Sequence, residues 1–112
     1  MELNTKQISA GVVIVRLPED HLDASNARLF KQSIHRLLDQ HDKVIFDMSS
    51  LSFVDSSGLG ALISCQRTAS ARRGEFKLCA LSTPVQALFE LMRMHRVFSI
   101  YNSRDEALRA FA

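Results

Sequence analysis

Apolar positions along this chain alternate repeatedly between a short β-branched pattern and a helical one. Leu3 to Ile8 alternate weakly and predict an opening strand. Gly11 then leads into Val12-Val13-Ile14-Val15-Arg16-Leu17, a β-branched run that predicts a second strand, and Pro18-Glu19-Asp20 ends it. From about Asp23 or Ser25 to Gln40, the residues Ala27, Phe30, Ile34, Leu37 and Leu38 share one face of a helix. Lys43 to Met48 predicts the next strand, centred on Val44-Ile45-Phe46. A helical stripe of Leu59, Leu62, Ile63 and Ala69 runs to about Arg73. Arg72 and Arg73 suit the negative end of its dipole, and Gly74 supplies the stop. Phe76-Lys77-Leu78-Cys79-Ala80 predicts another strand. Thr83-Pro84-Val85-Gln86 has the marks of a helix start, with a hydroxyl cap, Pro at the first helical position and Gln at the capping-box site. Val85, Leu88, Phe89 and Met92 then face inward. Val97 to Tyr101 predicts the last strand. Ser103-Arg104-Asp105-Glu106 opens a short final helix with Leu108 and Phe111 inward.

The predicted order is β-β-α-β-α-β-α-β-α. Such alternation with short connections implies an α/β fold with a mainly parallel sheet, right-handed crossovers and four helices. No linker, low-complexity tract or internal repeat divides the chain, so residues 1–112 are expected to form a single domain.

Composition narrows the function. With 46% hydrophobic residues, 7 Phe, 1 Tyr and no Trp, a real but mostly aliphatic core is available. So small a chain leaves little room for a deep, water-excluding active site, which argues against an enzyme. The net charge of +2 does not by itself imply nucleic acid. Met1-Glu2-Leu3-Asn4-Thr5-Lys6 is not a leader sequence, and no apolar run approaches the ~20 residues of a membrane span. Cys65 and Cys79 lie in apolar surroundings outside any Cys-x-x-Cys arrangement. They read as small core residues of a reduced, cytoplasmic protein. His21, His35, His41 and His95 make no metal-ligand pattern. Arg93, His95 and Arg96 read as solvated ends of a helix and a turn, and Met92 as core.

The chemistry concentrates in Asp55-Ser56-Ser57-Gly58-Leu59-Gly60, where a strand and a loop deliver two hydroxyls to the start of a helix. A helix N-terminus carries unpaired N–H groups and a partial positive charge, so it tolerates a phosphate. Taken alone, Asp55, Ser56 or Ser57 could simply be helix caps. Gly58 and Gly60 cost ~1 kcal/mol each in a helix relative to Ala. Their presence implies either close approach of a partner's backbone or tight packing of the helix. Asp23 reads as an N-cap, as part of a surface near the serines, or as both. A serine hydrolase would need a positioned histidine and an oxyanion hole, and neither a G-x-S-x-G elbow nor a P-loop is present. A small hydrolase using Ser56 is therefore disfavoured.

Leu51-Ser52-Phe53-Val54-Asp55-Ser56-Ser57-Gly58-Leu59-Gly60, in this element order, resembles the STAS domain of the anti-sigma-factor-antagonist type. Leu22-Asp23 and Ala80-Leu81-Ser82-Thr83-Pro84-Val85, leading to Leu88-Phe89, extend the resemblance over essentially the whole chain. It implies the STAS fold, a right-handed βα superhelix whose mainly parallel sheet has one antiparallel N-terminal edge strand, and a partner-switching protein. The unmodified domain would bind a GHKL-type anti-sigma factor that is also a serine kinase, and so release its target. Phosphorylation would break the complex, and a PP2C-type phosphatase would restore it. By motif position the acceptor is Ser56, with Ser57 as runner-up. Asp23, Asp55, Ser56, Ser57, Gly58 and Leu59 would form the partner-binding segment. The domain itself would need no cofactor, nucleic acid or membrane insertion, since ATP and metal belong to its partners. Two segments depart from the family pattern. Pro18-Glu19-Asp20-His21 occupies a turn that often carries Gly, and Met94-His95-Arg96 replaces another Gly-bearing turn. A rival implication is an adaptor subunit of a lipid-transport or other membrane-associated complex.

Overall fold

The computed structural model describes residues 1–9 and 11–111. In chain order its elements are β1 (Asn4–Ser9), β2 (Val12–Arg16), β3 (His21–Leu22), α1 (Ala27–Gln40), β4 (Lys43–Asp47), β5 (Phe53–Val54), α2 (Ser56–Ala71), β6 (Glu75–Cys79), α3 (Thr83–Leu91), a 3-10 turn (Met94–Arg96), β7 (Ile100–Tyr101) and α4 (Arg104–Arg109). Five strands form one sheet in the order β1-β2-β4-β6-β7. The β1–β2 edge pair is antiparallel and the other pairings are parallel. The fold is thus the expected α/β arrangement with four helices.

Strand alternation divides the core into two layers. Val13, Val15, Val44, Phe46, Phe76 and Leu78 pack under Phe30 and Ile34 of α1, Leu62 of α2 and Phe89 of α3. Ile14, Ile45 and Cys79 point the other way, onto Ala107 of α4. Phe46 is central to the larger layer, its ring 4.8 Å from that of Phe30 and 6.4 Å from that of Phe76. Burying such a side chain contributes about 1.5–3 kcal/mol.

Several boundaries and side chains differ from the pattern reading, each for a local reason. The two-residue strands β3 and β5 are too short to register as alternation, yet they pair in parallel as a second small sheet. The helix α1 begins at Ala27 because Asp23 to Asn26 are engaged in a turn of their own. The α2 helix stops with Arg73 in the left-handed conformation (φ 59). Gly74 is needed for space instead: a Cβ there would lie 2.4 Å from the Asp42 carbonyl oxygen. Arg72 pairs with Asp39 on α1.

At α3 the cap is Ser82, not Thr83. Its hydroxyl donates to the Leu51 carbonyl (2.6 Å), and Gln86 donates to Glu90 instead of closing a capping box. The last predicted strand shrinks to Ile100–Tyr101, because Met94 to Val97 turn in 3-10 geometry while Phe98 packs on Phe89. Met92 lies past the final turn of α3 and is 48% exposed, contrary to the inward position expected of it. At α4 the cap is Ser103. Ser103 Oγ accepts from the Glu106 N–H, and Glu106 reaches back to the Asn102 N–H.

Candidate functional site

From β4 the chain runs through buried Met48 and Leu51 into β5, which turns Val54 inward and leaves Phe53 53% exposed. Asp55 follows in extended conformation (φ −102, ψ −173) and caps α2. Its Oδ1 accepts the Gly58 N–H at 2.9 Å, and its Oδ2 accepts the Ala24 N–H at 3.2 Å. One carboxylate therefore ties the start of α2 to the loop before α1. Ser56 and Ser57 are the first two residues of α2 and both are exposed. Gly58 and Leu59 lie buried beneath them.

The two readings of the glycines separate here. A Cβ on Gly58 would sit 2.1 Å from the Leu22 carbonyl oxygen, so tight packing of α2 against β3 requires glycine. A Cβ on Gly60 would meet nothing within 4 Å. Gly60 lies instead on a cleft of about 230 Å³ between α1 and α2, with Arg28, Lys31 and Ser57 on its walls.

The loop facing the serines is organised by Asn26, which is only 5% exposed. Its Oδ1 accepts the Asp23 N–H (2.9 Å), and its Nδ2 donates to the His21 carbonyl (2.9 Å) and to Glu19 Oε2 (3.1 Å). Asp23 Oδ1 in turn accepts the Ser25 hydroxyl (2.5 Å) and the Ser25 N–H (2.9 Å). These bonds hold the Asp23 carboxyl below the usual carboxylate range. Asp23 therefore caps a local turn, while Asn26 occupies the cap position of α1. His21 Nδ1 lies 3.0 Å from Asp20 Oδ1 and its Nε2 lies 3.3 Å from Glu19 Oε2. The bond to Asp20, with smaller contributions from the charges of Asp23 and Glu19, raises the His21 pKa above its ordinary value. The same bond lowers that of Asp20.

The structure thus brings Asp23, Asp55, Ser56, Ser57, Gly58 and Leu59 together, joined by the Asp55–Ala24 bond. Of these, Asp23, Asp55, Ser56 and Ser57 reach the surface, whereas Gly58 and Leu59 shape it from below. Sequence reasoning missed Asn26. Its signal was an Asn directly before the helical stripe that opens at Ala27. Among the described residues no group of three or more His, Cys, Asp and Glu could hold a metal ion, and no helix is long and apolar enough to cross a membrane. Cys65 and Cys79 are buried and unpaired with each other, and burial pushes both thiols up to about 12.

Comparison with known proteins gives this geometry its class. The STAS domain family matches residues 4–107, and the chain belongs to that family. A relative from Paenibacillus polymyxa, the anti-sigma F factor antagonist, is 30% identical over 101 residues, covering 88% of this chain and 85% of that one. The anti-sigma factor antagonist SpoIIAA in its unphosphorylated form superposes with a TM-score of 0.79 at 21% identity, covering 98% of this chain and 96% of that one. The phosphorylated form of the Bacillus SpoIIAA gives 0.73 at 20% identity, over 99% and 100%. At such identities the structural likeness speaks for the fold.

Proposed function

We propose that this protein is an anti-sigma-factor antagonist working by partner switching, with Ser56 as its phosphorylation site. The observation that carries this reading is the exposed Ser56 at the first position of α2, directly after an aspartate that fixes the loop from both sides. The name of the Paenibacillus polymyxa relative supports the same role. Unphosphorylated, the surface formed by Asp23, Asp55, Ser56 and Ser57 binds a GHKL-type anti-sigma factor that is also a serine kinase. Binding releases the factor's target. Phosphate on Ser56 breaks the complex, and a PP2C-type phosphatase restores the starting form. The protein is a substrate in this cycle and performs no catalysis.

The physical basis is a difference between the free and bound states. Phosphoserine carries about −1.5 to −2 charges at pH 7. In the free protein the helix N-terminus favours that charge by ~0.3–2 kcal/mol. In the complex the phosphate is forced against a partner beside Asp55 and Asp23, where an uncompensated buried charge costs several kcal/mol. The test is to incubate the protein with its candidate kinase and ATP and to map the modified residue by mass spectrometry. Ser56→Ala abolishes incorporation and retains kinase binding if the reading is right. Full incorporation at Ser57 in that variant would show that the acceptor has been misassigned.

A further inference from the structure

Six large hydrophobic side chains are exposed among the described residues. Three of them, Leu91 (81%), Met92 (48%) and Val97 (39%), fall in one short segment from the last residue of α3 to the turn before β7. Arg93, His95 and Arg96 are exposed among them, and among the described residues neither arginine is in an ion pair. Arg93 sits at φ 56, which turns the chain sharply at the end of the helix. Beside this knob a cleft of about 260 Å³ opens between α3, the 3-10 turn and β7, with Phe89, Ile100 and Leu81 among its apolar walls and Glu90 and His95 at its polar side.

The arginine end of this face lies away from the serines, whereas the cleft reaches Leu81, Tyr101 and Asn102 at the carboxyl ends of β6 and β7. Helix α3 starts after β6, at the carboxyl edge of the five-stranded sheet, and α2 starts after β5 of the small sheet. Leu91, at the far end of the nine-residue α3, is about 12 Å further along the helix axis, toward the opposite edge.

We propose that residues 91–97 and the adjoining cleft form a second docking surface, for an acidic segment of a protein partner that anchors one apolar side chain in the cleft. Charge selects the class of partner: two unpaired arginines flanked by exposed Leu, Met and Val attract carboxylates around an apolar anchor. Shape selects a protein over a membrane, because a concave cleft accepts an inserted side chain and a flat lipid surface leaves it unfilled. Size disfavours a drug-sized ligand, whose pockets run to ~300–1,000 Å³. Arg93 and Arg96 lie past the far end of α3, so the carboxylates they hold stay clear of Ser56.

The experiment selects peptides from a random displayed library against the whole chain, then measures synthetic labelled copies by fluorescence anisotropy and amide NMR. The surface predicts selected peptides rich in Asp and Glu around a Leu, Phe or Trp, with shift changes at residues 86–101. Arg93→Glu combined with Arg96→Glu weakens them at least about tenfold, and Ser56→Asp changes affinity by less than about twofold. Circular dichroism checks that the variants fold, and Leu91→Ser provides the same comparison without charge reversal. The proposal is overturned if no acidic peptides are enriched, or if shifts cluster at residues 53–60. It is equally overturned if phosphatidylcholine–phosphatidylglycerol vesicles bind through Arg93 and Arg96 while no peptide does.

Discussion

Gly58 and Gly60 are two residues apart in the same helical turn, yet they carry opposite requirements. At Gly58 an added methyl meets the Leu22 backbone, which belongs to β3 and has little room to retreat. Gly58→Ala should therefore destabilise the protein by ~1–3 kcal/mol, as overpacking does. At Gly60 the methyl meets open space, and alanine's helix propensity should stabilise by up to ~1 kcal/mol. Urea denaturation of the two variants reads both signs. If Gly60→Ala is more stable but binds the proposed kinase poorly, the partner itself needs the space at Gly60. His21 offers a second residue-scale test. Its folded pKa is raised, chiefly by the bond to Asp20, so its contribution to stability is fully present below about pH 6.5 and is lost as pH rises through the raised value. NMR titration should give a His21 midpoint above 6.5 that falls in Asp20→Asn. An unchanged midpoint in that variant would show that Asp20 is not the cause.

Among the elements, the long periodic ones were legible in the sequence. The stripes of α1 and α2 and the β-branched runs of β2 and β4 each follow a single period over enough residues to be read. The strands β3 and β5 were not, because two residues carry no period and their pairing exists only once Leu22 and Val54 meet in space. The site was legible as a segment. Asp55 to Leu59 could be read from Asp-Ser-Ser-Gly, but its attachment to the loop before α1 could not, since Asp55 bonds Ala24 from 31 positions away. Asn26 is the residue that holds that loop in place. Asn26→Ala leaves the Asp23 N–H and the His21 carbonyl without their partners, for a loss of about 1–3 kcal/mol. Thermal unfolding measures it, and a loss well below that range would show that water takes over these bonds. The short turn at 94–96 misled the pattern for the opposite reason. Val97 and Phe98 look like the start of a strand, but burial of Phe98 against Phe89 draws the chain into a turn first.

For the whole molecule, the architecture separates a rigid body from a chemically exposed edge. The layers packed around Phe46 hold α2 in place, while Ser56 stands at its tip with no burial of its own. Such a body transmits no unfolding when its tip is modified. A phosphate is then expected to act on what docks there and not on the fold. The same reasoning keeps the two buried thiols out of the account, since neither is exposed and burial raises both. The central claim is that the switch is a change at an interface. It is tested most directly by titrating the proposed kinase with the wild-type chain and with Ser56→Asp in a calorimeter, while following thermal unfolding of the same samples. The account predicts at least about tenfold weaker binding for Ser56→Asp, which is about 1.4 kcal/mol or more, with little change in melting temperature. Unchanged affinity together with a marked fall in melting temperature would contradict it and point to a folding switch.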